Sequence, residues 1–568
     1  MRTIYCGELR SLHIGKRITI CGWLNKIRNL GKLIFLELRD IKGIVQAYIE
    51  VENKPIFLKT LKLHNELCIQ LDGLVRARPI SQINNSISTG DIEVLAIGLS
   101  ILNESDILPI DIYKTNNEEQ RLKHRYLDLR SNYMSDNLIK RTHVINYIRK
   151  HMNQKGFLDI ETPYLSKYST EGSREYIIPS RTHRTKYYVL PQSPQVYKQL
   201  LMVSGYDRYY QIVRCFRDED LRSDRQPEFT QLDIETAFMN VYKLHAILED
   251  LVKDLWLEFK GIKLNHFYRM SYKEAISRFG TDKPDLSNPL EYVDIKELIS
   301  NVNTTAATSA KDYKGKILHI PHNVFLTIDK VNEYKEYVEK INKQSFIWIK
   351  LTKQSFNEAN IESSLGFGSL LIKAIKHTNA NIDDFIFIIF LTNPSEHSFL
   401  TILKEKIAKD LQIHIKRWFP VWITDFPLFR KAANNEYIAT HHPFTAPKKN
   451  IDLTNVDPID IAANSYDLVI NGYEIGSGSV RINSFNNQKA VFNILNLSKK
   501  EQEVSYGCLL NALRYGAPPH LGFAFGLDRL LMLIAGSESI KDVIAFPKSN
   551  SGTDLMLNAP SEIDRACY

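Results

Sequence analysis

The sequence predicts a multidomain α+β protein, with a small N-terminal β-barrel, a hinge and a larger mixed domain split by an α/β insertion. Three observations carry this reading. The 568 residues are 44% hydrophobic and 24% charged, an ordinary globular composition with length for three or four domains. Residues 17 to 100 hold five short β-rich runs separated by Gly, Asn and Asp turns. From residue 286 to residue 417, strand-like and helical runs alternate in a Lys-, Asn- and Ile-rich stretch, flanked on both sides by arginine-bearing segments of similar chemistry.

The five N-terminal runs are Arg17 to Asn25, Lys32 to Arg39, Ile44 to Glu50, Leu67 to Arg76 and Glu93 to Leu99. Five strands at this spacing suit an OB-fold, whose open face binds single-stranded nucleic acid. Candidate readers there are Arg28, Phe35, Gln46, Arg76 and Glu93: an aromatic for stacking, amide and carboxylate groups for base edges, and guanidinium groups for phosphate or base. Residues 1–105 are assigned to this barrel and the polar stretch 106–135 to a hinge. A helix follows, with Ile145, Ile148 and Met152 on one face and a stop at Lys155-Gly156. A strand from Phe157 to Glu161 then ends at Thr162-Pro163.

The chemistry concentrates in Phe216-Arg217-Asp218-Glu219, in Arg225-Gln226-Pro227-Glu228-Phe229-Thr230-Gln231, and in Gly526-Leu527-Asp528-Arg529. Guanidinium groups meet phosphate oxygens two at a time, keep their charge at any working pH, and can neutralise the transition state at an α-phosphate. Two such arginines, one beside an acid and an aromatic, suit a bent ATP and the formation of an adenylate.

These segments resemble motifs 2 and 3 of the class II aminoacyl-tRNA synthetases, and the helix and strand before Pro163 resemble motif 1, which forms a dimer interface in that family. Together with Ser169-Thr170-Glu171-Gly172, Gln192 to Gln199, His441-His442-Pro443-Phe444-Thr445 and Glu474 to Arg481, the pattern is similar to bacterial-type aspartyl-tRNA synthetases over nearly the whole chain. The resemblance implies an antiparallel-sheet catalytic domain over 136–285 and 418–558, a bacterial-type insertion domain over 286–417, and a tail at 559–568. It implies that Glu171 and Gln195 hold the α-ammonium of aspartate and that Lys198 and Arg481 clamp its β-carboxylate. Asp233 would orient Lys198, Arg217 would face the α-carboxylate, and His441 with His442 would close over the amino acid. For ATP it implies Arg217, Asp218, Glu219, Gln226, Phe229, Glu474, Gly526, Leu527, Asp528 and Arg529, and for Mg²⁺ on the phosphates Asp467 and Glu474. The barrel readers match positions that bind the anticodon. The implied partners are tRNA(Asp), ATP, L-aspartate and a second copy of the chain.

Charge argues the amino acid independently. A lysine site needs a buried acid for the ε-ammonium, whereas an aspartate site needs buried cations, and Lys198 with Arg481 supplies them. Leaving a buried arginine without its carboxylate costs about 3 to 5 kcal/mol, so asparagine would be rejected roughly 10²- to 10³-fold without editing. The loop from Arg28 to Lys32 looks more like that of strict enzymes, although a range covering both aspartate and asparagine tRNAs stays open. Ser477 and Asn29 depart from the family's usual Gly and Asp. Ser477 is expected to lower substrate affinity.

Several classes are disfavoured. Residues 1 to 16 lack the apolar core of a signal peptide, and the longest apolar run, Phe385 to Leu391, falls far below the roughly 20 residues of a spanning helix, so no membrane contact and a cytoplasmic location are expected. The six cysteines show no C-x-x-C pair and no zinc spacing. The net charge of +8 permits a polyanion partner. His13-Ile14-Gly15-Lys16 imitates a class I synthetase signature but precedes a barrel, and Gly476-Ser477-Gly478-Ser479 begins like a dinucleotide fingerprint that Arg481 breaks.

Overall fold

The structure, a computed structural model, describes residues 1–114, 116–168, 173–296, 315–353, 368–391, 398–432, 434–448, 453 and 456–562. The chain forms two compact units, Met1–Asp136 with Asp554–Tyr568, and Asn137–Thr553.

In the first unit, β1 (Arg17–Asn29), β2 (Leu33–Asp40), β3 (Gly43–Glu50), β4 (Cys68–Ala77) and β5 (Ile92–Asn103) close a barrel in the order β1-β2-β3-β5-β4. Alternation fixes which side chains fill it: Ile18, Ile20 and Leu24 point inward with Leu36, Leu38, Ile69, Leu71 and Val94. The residues between them form the outer surface. The polar stretch after β5 carries two short helices, Glu118–Lys123 and Arg125–Asp128, and Asn117 caps the first by accepting from the Gln120 amide. Ion pairs order it further, the buried Arg125 on Asp128 at 2.6 Å and the partly buried Arg130 on Glu66 at 3.0 Å.

The second unit is built on an eight-stranded sheet. In chain order its strands are β6 (Leu158–Asp159), β7 (Arg208–Phe216), β8 (Glu228–Ala237), β9 (Tyr268–Ser271), and then, beyond the insertion, β14 (Pro420–Thr424), β15 (Ser465–Ile470), β16 (Tyr473–Val480) and β17 (His520–Gly526). Their spatial order is β9-β14-β15-β16-β17-β8-β7-β6. The six central strands are antiparallel, and a parallel strand lies at each edge. The helices α1 (Asn132–Gln154), α3 (Val241–Lys260) and α4 (Leu527–Ala535) contribute to one core with the sheet: Val144, Ile148 and Met152 meet Leu232, Ile234, Leu468, Phe523 and Phe525. The innermost residues of α1 are therefore Val144, Ile148 and Met152, with Ile145 only partly buried. The strand expected at Phe157 to Glu161 shortens to β6.

Between β9 and β14, the strands β10 (Tyr292–Asp294), β11 (Gly315–Ile320), β12 (Ser345–Lys350) and β13 (Phe385–Phe390) form an antiparallel sheet in the order β10-β11-β13-β12, with its own core against helices such as Ser398–Asp410. Phe385 to Leu391, the longest apolar run, is the buried strand β13 and its following residue. Among the described residues, no helix is long and apolar enough to cross a membrane, and no disulfide links the five described cysteines.

Candidate functional site

The face of the eight-stranded sheet opposite its core lines a cleft of about 430 Å³. Strand alternation builds it. Along β8, Leu232 and Ile234 enter the core while Gln231 and Asp233 line the cleft, and along β17 Phe523 and Phe525 are core while Ala524 and Gly526 line the cleft.

At one end, buried cations and acids interlock. Lys198, on α2 (Gln195–Val203), donates to Asp233 at 2.6 Å and lies 3.4 Å from Glu235. Arg481 donates twice to Glu235, from Nε at 2.8 Å and from Nη2 at 3.0 Å. Its Nη1 reaches Ser479 Oγ and His442 Nε2, both at 2.6 Å. Burial alone would raise the Glu235 carboxyl, but Arg481 and Lys198 hold it below its ordinary value. Burial and then Arg481 push His442 well down, leaving it neutral. Each cation is thus tied to an acid on β8. Among the described residues, the second oxygen of Asp233 has no hydrogen-bond partner. Gln195 lines the same end, its amide donating to Gln199 at 3.1 Å.

A second group of acids lies on the β15–β16 hairpin. Its two-residue loop, Asn471-Gly472, has φ of 45° and 83°, the left-handed pair of a type I′ turn. That turn brings Asp467 and Glu474, seven apart in sequence, onto neighbouring strands. A bulge between Leu468 and Val469 shifts the phase, so Glu474 and Ser477 both line the cleft despite their odd spacing. His441 Nε2 sits 3.3 Å from Asp467, and Lys283 Nζ sits 3.0 Å from Glu474. Burial would depress His441, yet the Asp467 carboxylate outweighs it and holds the imidazole above its ordinary value. Burial raises Asp467, whereas Lys283 and Arg529 overcome burial at Glu474 and hold that carboxyl low. The glycines flanking Ser477 are sterically required: a Cβ on Gly476 would lie 2.4 Å from the Phe523 ring, and one on Gly478 would lie 2.3 Å from the Gly522 carbonyl. Ser477 faces the cleft between them and hydrogen-bonds Asp467.

The arginine segments surround the remaining cleft. Arg217 lies 4.9 Å over the Phe229 ring. Arg529 pairs with Asp224 at 3.1 Å and donates to the Glu474 carbonyl at 3.0 Å. Arg225 pairs with Glu219 at 3.4 Å, and Gln226 is pinned by two hydrogen bonds to the Lys548 backbone. Leu527 and Asp218 do not line the cleft, whereas Asp528 does. The Leu527 side chain is fully buried in the core. Asp528 accepts from Arg141 at 2.5 Å and from the Thr230 amide at 2.7 Å, so its carboxylate joins α4 to α1 and β8. Asp218 is exposed and bridges through its backbone to Arg174. Glu171 lies outside the described residues.

The barrel face carries the other candidates together. Arg28 and Phe35 are directly opposed on β1 and β2, and Arg76 and Glu93 on β4 and β5. Gln46 links the pairs, accepting from Arg28 at 2.7 Å and donating to Glu93 at 3.1 Å. Arg76 donates to Tyr48, which opposes Phe35 as a second aromatic.

Sequence reasoning did not single out Glu235, Ser479, Lys283 or Tyr48. The alternation Gln231, Asp233, Glu235 along a strand was the available signal for the first. Among the described residues, no cysteine lines the cleft. The one cluster of metal-ligand spacing among the described residues, Asp285, Glu405 and His414, does not line it either, and His414 there hydrogen-bonds Glu405.

Comparison with known proteins places this architecture. A family model for "tRNA synthetases class II (D, K and N)" matches residues 117–550, and one for the "OB-fold nucleic acid binding domain" matches 18–99. An aspartate–tRNA ligase of Blochmanniella pennsylvanica is 46% identical over 99% of this chain and 100% of its own. One of Haemophilus ducreyi is 44% identical over 99% and 97%. Among solved structures, asparaginyl-tRNA synthetase of Pyrococcus horikoshii complexed with asparaginyl-adenylate matches with a TM-score of 0.61 at 19% identity, covering 96% of this chain and 98% of that one. That likeness shows the fold. With full-length identity of this order to aspartate–tRNA ligases and the class II model spanning most of its length, the chain belongs to the aspartate–tRNA ligase family of class II aminoacyl-tRNA synthetases.

Proposed function

We propose that this protein activates L-aspartate with ATP, giving aspartyl-adenylate and pyrophosphate, and then transfers aspartate to the 3′ end of tRNA(Asp). The observation that carries the choice of amino acid is the buried pair Lys198 and Arg481, each aligned by an acid on β8. Held this way, the two cations offer donors in a fixed geometry to the β-carboxylate. Asparagine would set its amide N–H groups against those donors, and lysine would bring a third cation.

In the first step the aspartate α-carboxylate attacks the α-phosphate. The nucleophile is already an anion, so positioning and charge neutralisation carry the step without a general base. Gln195 and Glu171 hold the ammonium, Arg217 lies between carboxylate and α-phosphate, Phe229 stacks on adenine, and Arg529 meets the γ-phosphate. Asp467 and Glu474 fit Mg²⁺, because both are carboxylates on neighbouring strands, Glu474 lines a cleft with no cysteine among the described residues, and magnesium needs one or two carboxylates plus phosphate oxygens. When bound, that ion neutralises the phosphates. On the barrel, Phe35 stacks an anticodon base while Arg28, Gln46, Arg76 and Glu93 read edges and phosphate.

The enzyme works as a homodimer in the cytoplasm. The dimer is supported by the edge strand β6, where Leu158 is exposed, and by exposed Phe238 and Tyr242 nearby in sequence to β8. Light scattering on the purified chain tests it, and a monomer at micromolar concentration would refute it. The activity is tested by pyrophosphate exchange into ATP without tRNA, comparing aspartate, asparagine and lysine. Exchange with aspartate alone is expected, and comparable exchange with asparagine would refute the cation-pair account.

A further inference from the structure

Lys283 takes no part in the chemistry assigned above, yet its Nζ lies 3.0 Å from Oε2 of Glu474. Arg529 donates to the carbonyl of the same residue at 3.0 Å. Two cations therefore flank Glu474, one on its carboxylate and one on its backbone, in the corner assigned to the triphosphate. The lysine differs from the locked cations at the amino-acid end. Its side chain is 37% exposed, whereas those of Lys198 and Arg481 are 2% exposed. It can leave its partner without exposing a buried charge.

The loop that presents it is anchored. Its start is tied to the insertion helix Ser398–Asp410, where Thr401 donates to the Gly280 carbonyl at 3.4 Å and Lys404 sits 4.5 Å over the Phe279 ring. The Lys283 amide donates to Thr281 at 3.1 Å, and the loop closes where Asp285 accepts from the Ser287 amide at 2.8 Å. The backbone is held, while the partly exposed side chain can turn about its own rotatable bonds once its ammonium leaves Glu474.

A lysine at 3.0 Å from Glu474 competes with any divalent cation for that carboxylate. A divalent cation held at Glu474 would repel the ammonium, and the triphosphate that accompanies it would offer Lys283 another anion. We infer that Lys283 is a phosphate-binding residue: it neutralises Glu474 in the absence of Mg²⁺ and ATP, and its ammonium then turns to pair with the β- and γ-phosphates, assisting departure of pyrophosphate. This rests on the adenylate-forming reading proposed above.

The test is titration calorimetry on the full chain, comparing wild type with Lys283→Met and Lys283→Arg and using three separate probes: inorganic pyrophosphate with Mg²⁺, AMP, and Mg²⁺ alone. In Lys283→Met, pyrophosphate should bind about tenfold more weakly, the loss of one charge-assisted contact. AMP, which lacks the β- and γ-phosphates, should bind within about twofold of wild type, and Mg²⁺ alone should bind more tightly because its competitor is gone. Lys283→Arg should retain most of the pyrophosphate affinity. Unchanged pyrophosphate binding, or equal losses of pyrophosphate and AMP, would overturn the inference. Should Lys283→Met fail to fold by thermal melting, Lys283→Gln is read by the same criteria. Absence of aspartate-dependent exchange in the wild type would instead defeat the underlying reading, whatever the variants bind.

Discussion

Replacing Glu235 with glutamine isolates the alignment of the cation pair from its charge. Glu235 is fully buried, accepts two hydrogen bonds from Arg481 and lies 3.4 Å from Lys198. Glutamine has the same shape but one acceptor oxygen, and its amino group would confront one of the two guanidinium donors. A hydrogen bond to a charged group contributes about 1.5 to 3 kcal/mol, so losing one and reorienting Arg481 should weaken aspartate binding by roughly 3 kcal/mol, or about 150-fold in KM. A competing effect has the opposite sign, since removing an acid near the substrate carboxylate relieves repulsion. That term is small here, because Arg481 and Lys198 already neutralise Glu235 at contact distance. The assay is aspartate-dependent pyrophosphate exchange, with KM determined separately for aspartate and ATP. The expected result is a large rise in aspartate KM, ATP KM within about twofold of wild type, and a weaker preference over asparagine. Tighter aspartate binding would show that repulsion prevails, and equal losses for aspartate and ATP would show general damage to the fold. Either result refutes the alignment argument.

Other predictions address separate parts of the molecule. Phe35→Ala should raise the tRNA KM about 10- to 100-fold, the cost of one stacked base, and leave tRNA-free exchange unchanged; damage to both would refute the division between barrel and cleft. His441 is held above its ordinary value, so its ion pair with Asp467 contributes stability that is fully present below about pH 6.5 and is lost as pH rises through the raised value. Melting temperature against pH should therefore fall across that window in wild type, and less steeply in His441→Gln. Arg141→Ala leaves the Asp528 carboxylate buried without its cation, which should cost about 3 to 5 kcal/mol in denaturant unfolding. Gly476→Ala, whose new methyl would meet the Phe523 ring, should destabilise the hairpin and lower soluble yield, while Ser477→Gly should fold normally.

Local pattern carried much of this protein. Short β-rich runs between Gly, Asn and Asp turns marked the five barrel strands, and β1 to β5 correspond to those runs, because β-branched and aromatic residues fit a pleated, half-buried surface and turn residues end it. The 3.6-residue pattern and its glycine stop likewise marked α1, which ends at Gln154. Residue chemistry singled out Lys198, Arg217, Arg481 and Arg529, since fixed cations amid polar and Gly-rich segments have few purposes. Tertiary structure decided the rest. An I′ turn sets Asp467 and Glu474 on neighbouring strands and a bulge turns Glu474 and Ser477 to one cleft, and a single inserted residue can reverse the face that a strand pattern predicts. Leu527, within the Gly526 to Arg529 motif, belongs to the core because the helix starting there turns that side chain inward. Glu235 became the partner of Arg481 only when residues 246 positions apart met, whereas the family resemblance already implied Asp233 for Lys198. A sequence shows which groups need partners, but the fold chooses them, because ion pairs depend on distance in space rather than along the chain.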